Sequence, residues 1–336
     1  MSKKTVLVTD YTWPTTEPEA RVLEAVGAEL LIAKSGEEEE LVDLVRHADG
    51  ILTCFKQVTA NVIRAGANAR LQVIGRYGIG VDNIDIEEAT KHGIPVTNVP
   101  AYCLDEVTEH CLAFMLASAR SICTYNTAVR EGDWNLPTGT PIYRVRGKTL
   151  GILGFGKIGS TLAAKASGFG LRIIAYDPFE EQITADPSGI ESVSLEELLT
   201  QSDYVSIHAP LIPQTRGLIN EERLRLMKPS AFLINAARGA IIDMDALALA
   251  LKENWIAGAA LDVFEPERLP VDHPLLSCPT LIATPHVAFY SEESVVDLEV
   301  LAAENVAAIL TGKHPASIVN PEVLKLDRWS HLQDPG

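Results

Sequence analysis

Residues 5–99 repeat one rhythm: a short run rich in β-branched residues, a turn, then an amphipathic stretch. The runs are TVLVT (5–9), ELLIA (29–33), GILTCF (50–55), LQVIGRYG (71–78) and IPVTNV (94–99). Strands this short and apolar, alternating with helical patterns, predict an α/β unit built on a buried parallel sheet. Thr16-Glu17-Pro18-Glu19, a hydroxyl followed three positions later by a carboxylate with proline between, predicts a helix N-cap box. Glu37–Glu40 falls at another helix start, where acidic side chains complement the dipole and face solvent. Residues 105–120, DEVTEHCLAFMLASAR, form a longer helix whose second half is apolar nearly all round, so it must be covered. After a loop at 131–146 the rhythm resumes with TLGILGFG (149–156), LRIIAYD (171–177), YVSIHAP (204–210), AFLINAA (231–237), AGAALDVF (257–264) and LIATPHV (281–287). A last helical stretch, 294–312, is placed to return to the first domain.

At 336 residues the chain is long enough for two domains. Its net charge of −17 opposes nucleic-acid phosphates and anionic lipid, and points to small solutes or protein partners. Five cysteines (Cys54, Cys103, Cys111, Cys123, Cys278), scattered and without C-x-x-C spacing, read as free thiols in a reducing compartment. With no apolar leader and no long apolar span, the expected location is cytoplasmic. Glu106 and His110 stand one helical turn apart, but two ligands do not make a metal site, and no metal is expected.

The strongest chemical signal is GILGFGKIGS, in which Gly154, Gly156 and Gly159 follow an apolar strand and open a helix. The first glycine permits a tight turn, the second lets backbone approach a pyrophosphate and the third lets helix and strand pack closely; the helix N-terminus attracts the phosphate charge. The next strand ends in Asp177, placed to accept hydrogen bonds from an adenosine ribose and to repel a 2′-phosphate, which favours NAD over NADP.

A bound dinucleotide calls for a proton donor and a cation that orients an anionic substrate. Open α/β sheets bind ligands beyond the carboxyl ends of their strands, and three such ends carry Arg238, Glu267 and His286. Arginine pairs bidentately with a carboxylate. Histidine exchanges protons near neutral pH, and a glutamate can fix its tautomer. Glu265 is an equally placed neighbour of Glu267 on spacing alone.

GILGFGKIG, INAARGAIID, GAALDVFEPE and TPHVA, in that order, resemble the signatures of the D-isomer-specific 2-hydroxyacid dehydrogenases, over nearly the whole chain. The resemblance implies a discontinuous flavodoxin-like substrate-binding domain (1–101 and 290–336) and a Rossmann NAD-binding domain (102–289), both doubly wound parallel sheets. It implies hydride transfer between NAD and a small 2-oxo or D-2-hydroxy acid, with Arg238, Glu267 and His286 catalytic. Amides around Tyr77, Gly78 and Ile79 would meet the substrate carboxylate. Lys157 and Ile158 would contact the pyrophosphate, Ala209 and Pro210 the adenine side, and Ala236 and Asp262 the nicotinamide half, with Arg238 and His286 also against the cofactor. Helix 105–120 resembles the family's dimerisation helix, so a homodimer is expected. TPHVAFYSEES and NVPAYCLDEVTEH look most like the branch that includes the C-terminal-binding-protein co-repressors, for which NAD-responsive scaffolding is the alternative function. In the loop TCFKQVT (53–59), Lys56 stands where phosphoglycerate-specific members present an arginine, which argues against phosphoglycerate.

Overall fold

The structure, a computed structural model, describes residues 3–136, 138, 141–179 and 190–333. Residues 137, 139 and 140 of the predicted 131–146 loop lie outside the described residues. The chain divides into two compact units, Met1–Tyr102 with Ser291–Gly336, and Cys103–Tyr290.

In the first unit, strands β1 (Lys4–Val8), β2 (Ala28–Ile32), β3 (Gly50–Thr53), β4 (Val73–Arg76) and β5 (Val96–Thr97) form a parallel sheet in the order β2-β1-β3-β4-β5. This is the doubly wound flavodoxin-like order. Helices α2 (Glu38–Val45), α3 (Ala60–Ala67) and α4 (Ile86–Lys91) contribute Leu41, Val45, Val62, Ile63 and Ala89 to a core with Leu7, Ile51 and Ile74 of the sheet. Helix α1 (Glu17–Ala25) packs against the long C-terminal helix Glu292–Leu310, which also contacts β3, β4 and β5. That helix starts two residues earlier than its pattern suggests, because Ser291 and Ser294 cap each other.

The expected cap box at Thr16–Glu19 does not form. Thr16 makes no side-chain cap; the Glu17 amide donates to Thr15 Oγ1 at 3.2 Å instead. Glu19 turns inward, fully buried, where its Oε1 accepts the Tyr77 hydroxyl at 3.0 Å. The acidic run does open α2, and Glu40 folds back to accept the Ser35 hydroxyl and the amides of Lys34, Ser35 and Gly36, which hold its carboxyl down at about 2.

In the second unit a seven-stranded parallel sheet runs through β6 (Thr149–Leu153), β7 (Arg172–Tyr176), β8 (Glu191–Ser192), β9 (Tyr204–Ile207), β10 (Phe232–Asn235), β11 (Gly258–Leu261) and β12 (Leu281–Ala283). Its order is β12-β11-β10-β9-β6-β7-β8, so the chain steps outward from β6 in one direction and then restarts at β9 on the other side. Ligands of such sheets bind outside the strand ends at this reversal. Helix α5 (Leu104–Ala119) packs on α7 (Lys157–Ala166) and on β10 and β11; α6 (Ile122–Arg130) follows α5 directly.

Both units use one device to join the strand that pairs with their first strand. Asp49, just before β3, accepts the Thr5 amide of β1 at 2.8 Å, and Asp203, just before β9, accepts the Thr149 amide of β6 at 2.9 Å. Among the described residues no helix is long and apolar enough to cross a membrane.

The C-terminal segment is fastened by Asn320, buried to 1%, whose side chain accepts the Val96 amide at 2.8 Å and donates to Thr90 Oγ1 and Ile94 O. Asn320→Ala leaves an orphaned strand amide and is expected to remove about 2–4 kcal/mol, read from urea unfolding. A loss below about 0.5 kcal/mol would show that these bonds add nothing beyond hydration.

Candidate active site

The parallel register aligns the ends of three neighbouring strands: Asn235 of β10 pairs with Leu261 of β11, and Leu261 with Ala283 of β12. Arg238, Glu267 and His286 follow these ends by a few residues each, so the sheet sets all three at one edge.

His286 and Glu267 touch: Nδ1 lies 2.5 Å from Glu267 Oε1. Of the two glutamates that spacing left open, Glu267 thus reaches the ring. Between them the chain turns at a cis Glu265–Pro266 peptide. The imidazole is largely covered, while the glutamate side chain is half exposed. Arg238, half-buried, donates from one guanidinium nitrogen to Ala237 O at 2.8 Å, and Asn235 braces its loop by donating to Arg238 O at 2.8 Å. Next to it Gly239 lies against the backbone of Phe264, where a Cβ would come within 2.0 Å of the carbonyl carbon. Only glycine allows this approach, and it draws the Arg238 loop onto the segment that leads to Glu267.

His286 has a left-handed backbone, φ 58°, which a non-glycine residue adopts only when its surroundings impose it. Asp262, buried to 1%, supplies that restraint. Its carbonyl accepts the His286 amide at 2.8 Å, and its carboxylate accepts Val287 N at 2.9 Å, Ala288 N at 2.8 Å and the Thr284 hydroxyl at 2.5 Å. Because the single Thr284 proton goes to Asp262, His110 Nε2, 3.0 Å from Thr284 Oγ1, must be the donor in that contact. Burial pushes the His110 imidazole down, in keeping with a neutral Nε2–H ring. On sequence alone His110 stands as one of two residues with metal-ligand spacing, and Asp262 as a cofactor contact that the family resemblance implies. The signal for this turn is the spacing of Asp262 at a strand end opposite Thr284 on the next strand. Among the described residues no group of three or more His, Cys, Asp or Glu could hold a metal.

The glycine-rich loop sits at the end of β6. Gly154, φ 93°, presses on β9's exit: a Cβ there would lie 2.6 Å from Ala209 N. Gly156 caps α7 and faces open space, with Lys157 exposed beside it, Ile158 half-buried and Gly159 buried against Gly154 O. An open, amide-lined helix N-terminus of this kind fits a pyrophosphate. Asp177, at the end of β7, accepts Phe155 N at 2.7 Å and Phe179 N at 2.8 Å, so its carboxylate is oriented beside the loop with lone pairs remaining for a ribose diol. Ala209, buried, and Pro210, exposed, follow β9; Ala236 follows β10 and is half-buried. His208 bonds Ser206 at 2.8 Å, and burial pushes its imidazole down to about 4, so it stays neutral.

In the first unit, Tyr77 is buried and the amides of Tyr77 and Gly78 already donate to Thr53 O and Arg76 O, at 2.8 and 3.0 Å. Ile79, half-buried, has its carbonyl held by Asn98 at 2.7 Å. Lys56 pairs with Glu37 at 2.7 Å, and the carboxylate of Asp10 gathers the amides of Cys54 and Phe55 at 3.0 and 2.8 Å.

A switch-point sheet with a glycine cradle at one strand end and a paired histidine and glutamate at another defines a dinucleotide-dependent oxidoreductase. The family model for the NAD-binding domain of D-isomer specific 2-hydroxyacid dehydrogenases matches residues 112–288. The chain is 41% identical over 290 residues to a glyoxylate reductase of Korarchaeum cryptofilum, covering 85% of this chain and 87% of that protein. It is 40% identical over 332 residues to a D-3-phosphoglycerate dehydrogenase of Methanocaldococcus jannaschii, covering 98% of this chain and 62% of the relative. The structure of a glyoxylate reductase from Paecilomyes thermophila superposes with a TM-score of 0.83 at 29% identity, over 96% of this chain and 100% of that one. The chain belongs to the D-isomer specific 2-hydroxyacid dehydrogenase family.

Gly154→Ala would force a side chain into a left-handed turn and against Ala209. Its affinity for NADH, followed by nucleotide fluorescence, is expected to fall at least about tenfold. Unchanged affinity would remove this turn from the cofactor site.

Proposed function

We propose that this chain reduces a small 2-oxo acid to the D-2-hydroxy acid, and catalyses the reverse reaction, with the His286–Glu267 pair exchanging the proton. The contact between Nδ1 and the Glu267 carboxylate carries this reading. A carboxylate there accepts the Nδ1–H, which assigns proton exchange to Nε2, and it balances the positive ring formed when both nitrogens are protonated. In reduction Nε2 gives its proton to the carbonyl oxygen; in oxidation it takes the hydroxyl proton back. When bound, NAD supplies the acceptor or donor of the hydride at the substrate's C2. Arg238 pairs its guanidinium with the substrate carboxylate and polarises the neighbouring carbonyl, and the Ile79 amide is a further donor for that carboxylate. The strained His286 backbone, held by Asp262, keeps the ring in place through the cycle.

Glyoxylate-sized acids are the proposed substrates. They are supported by the glyoxylate reductase relatives and by Lys56, whose pairing with Glu37 competes with phosphate binding. Gly156, Lys157 and Ile158 are proposed for the pyrophosphate, Asp177 for the ribose, Ala209 and Pro210 for the adenine side, and Ala236 and Asp262 for the nicotinamide side. A cytoplasmic homodimer is proposed, with α5 and the segment after it at the interface. The support is the apolar surface on that segment, where Trp134 is 79% and Leu136 85% exposed. Turnover is favoured over scaffolding alone by the glyoxylate reductase and D-3-phosphoglycerate dehydrogenase relatives.

His286→Ala is expected to lower kcat by roughly 10²–10⁴ while NADH binding is unchanged. Near-full activity on a panel of glyoxylate, pyruvate and hydroxypyruvate, read by NADH absorbance, would defeat the assignment. Asp177→Ala should shift the NADH/NADPH ratio of kcat/KM toward NADPH by about tenfold or more; an unmoved ratio takes Asp177 out of ribose recognition.

A further inference from the structure

In the first unit Glu19 Oε2, Glu299 Oε1 and Trp13 Nε1 are among the buried side-chain polar atoms that make no hydrogen bond of normal geometry. They belong to one cluster. Glu19 on α1 and Glu299 on the C-terminal helix are 0% and 2% exposed, on helices that pack together. Glu19 Oε1 accepts the Tyr77 hydroxyl at 3.0 Å, and the Trp13 ring meets Tyr77 edge-on with centroids 5.0 Å apart. Two ionised carboxylates cannot face each other in such a site, because each offers only acceptors and neither charge is offset. One proton between them satisfies both orphaned oxygens.

We propose that Glu19 and Glu299 share a single proton and, through the Tyr77 hydroxyl, act as positioning residues for the Tyr77–Ile79 loop that presents the substrate-carboxylate donor. The proposal rests on the reading of that loop as a substrate contact. Tyr77 directly follows β4, so its side chain is the anchor by which the loop is held to α1. Glu19 and Trp13, from α1 and the loop before it, face Glu299; Glu19, Glu299 and Cys54 face Tyr77, and Cys54 in turn lies beside Arg76 and Asp10. Burial raises the Tyr77 phenol well above its ordinary range and the Cys54 thiol to about 12, so both stay neutral and neither can offset a second negative charge. Burial and the neighbouring Glu19 carboxyl push Glu299 up to about 9.

The sign follows from linkage. In the unfolded chain Glu299 ionises near 4.5, whereas in the folded chain it keeps its proton up to about 9. Folded stability therefore declines as pH rises across that window, and the pair loses its proton at its upper edge. Glu299→Gln replaces the shared proton with a carboxamide N–H that donates to Glu19, so it should hold the loop at every pH.

The test uses the full-length protein. Infrared spectra of the wild type at neutral pH should contain the C=O stretch of a protonated carboxyl, shifted in D2O and absent in Glu299→Gln. With glyoxylate and NADH, wild-type KM should rise about fivefold or more between pH 7 and 10 relative to Glu299→Gln, with kcat following the same pH profile in both. Ile79→Asp, which sets a negative charge on the half-buried loop, should raise KM about tenfold at pH 7. A wild type without the carboxyl band, or KM profiles of wild type and Glu299→Gln that superpose, overturns the shared proton or its link to the loop. An Ile79→Asp variant with unchanged KM overturns the substrate-loop reading instead, and the infrared band then judges the proton by itself.

Discussion

The geometry at the sheet edge depends on the buried carboxylate of Asp262. It fixes four consecutive features of one turn: the Thr284 hydroxyl and the amides of His286, Val287 and Ala288, the first of these amides through its own carbonyl. A left-handed histidine costs on the order of 1 kcal/mol or more if nothing imposes it. Here the turn has nowhere else to go, because releasing it would orphan a fully buried charge. The strain is thus maintained by electrostatics behind the ring rather than by packing around it. Glu267 then needs only to meet a ring whose place is already set.

The sheet does the rest by register. With β10, β11 and β12 paired in parallel and in step, any residues a few positions past their ends share one edge, whatever their separation in sequence. This is why Arg238, Glu267 and His286 could be picked from strand ends alone, and why Gly154 and Asp177 could be read from a strand-glycine-helix-strand unit. Those features are local or follow from periodicity. The choice between Glu265 and Glu267 did not, because it turns on the path of a short loop through a cis peptide that no pattern encodes. The His110–Thr284–Asp262 chain was hidden for a different reason: it links a helix to two strands across 174 residues between the first two members. At Thr16–Glu19 the local signal was present but lost to a tertiary one, since a buried tyrosine hydroxyl competes for the same carboxylate.

Buried acids are treated in two opposite ways, at strand ends and on helices, and the contrast explains what each arrangement can do. Asp49, Asp177, Asp203 and Asp262 all sit at strand ends, where backbone amides point at them and donate to their carboxylates. Lys148 and Lys228 add to this at Asp203 and hold its carboxyl below the usual range. Glu19 and Glu299 lie instead on helices, Glu299 within the body of its helix, where the amides are spent on intrahelical bonds. Among the described residues no strand-end amide or cation bonds the pair, and a proton is the remaining counter-charge. An amide-held aspartate suits a rigid turn. A proton-held pair gives way as the solution becomes alkaline. In a chain with a net charge of −17, losing that proton adds to the existing repulsion.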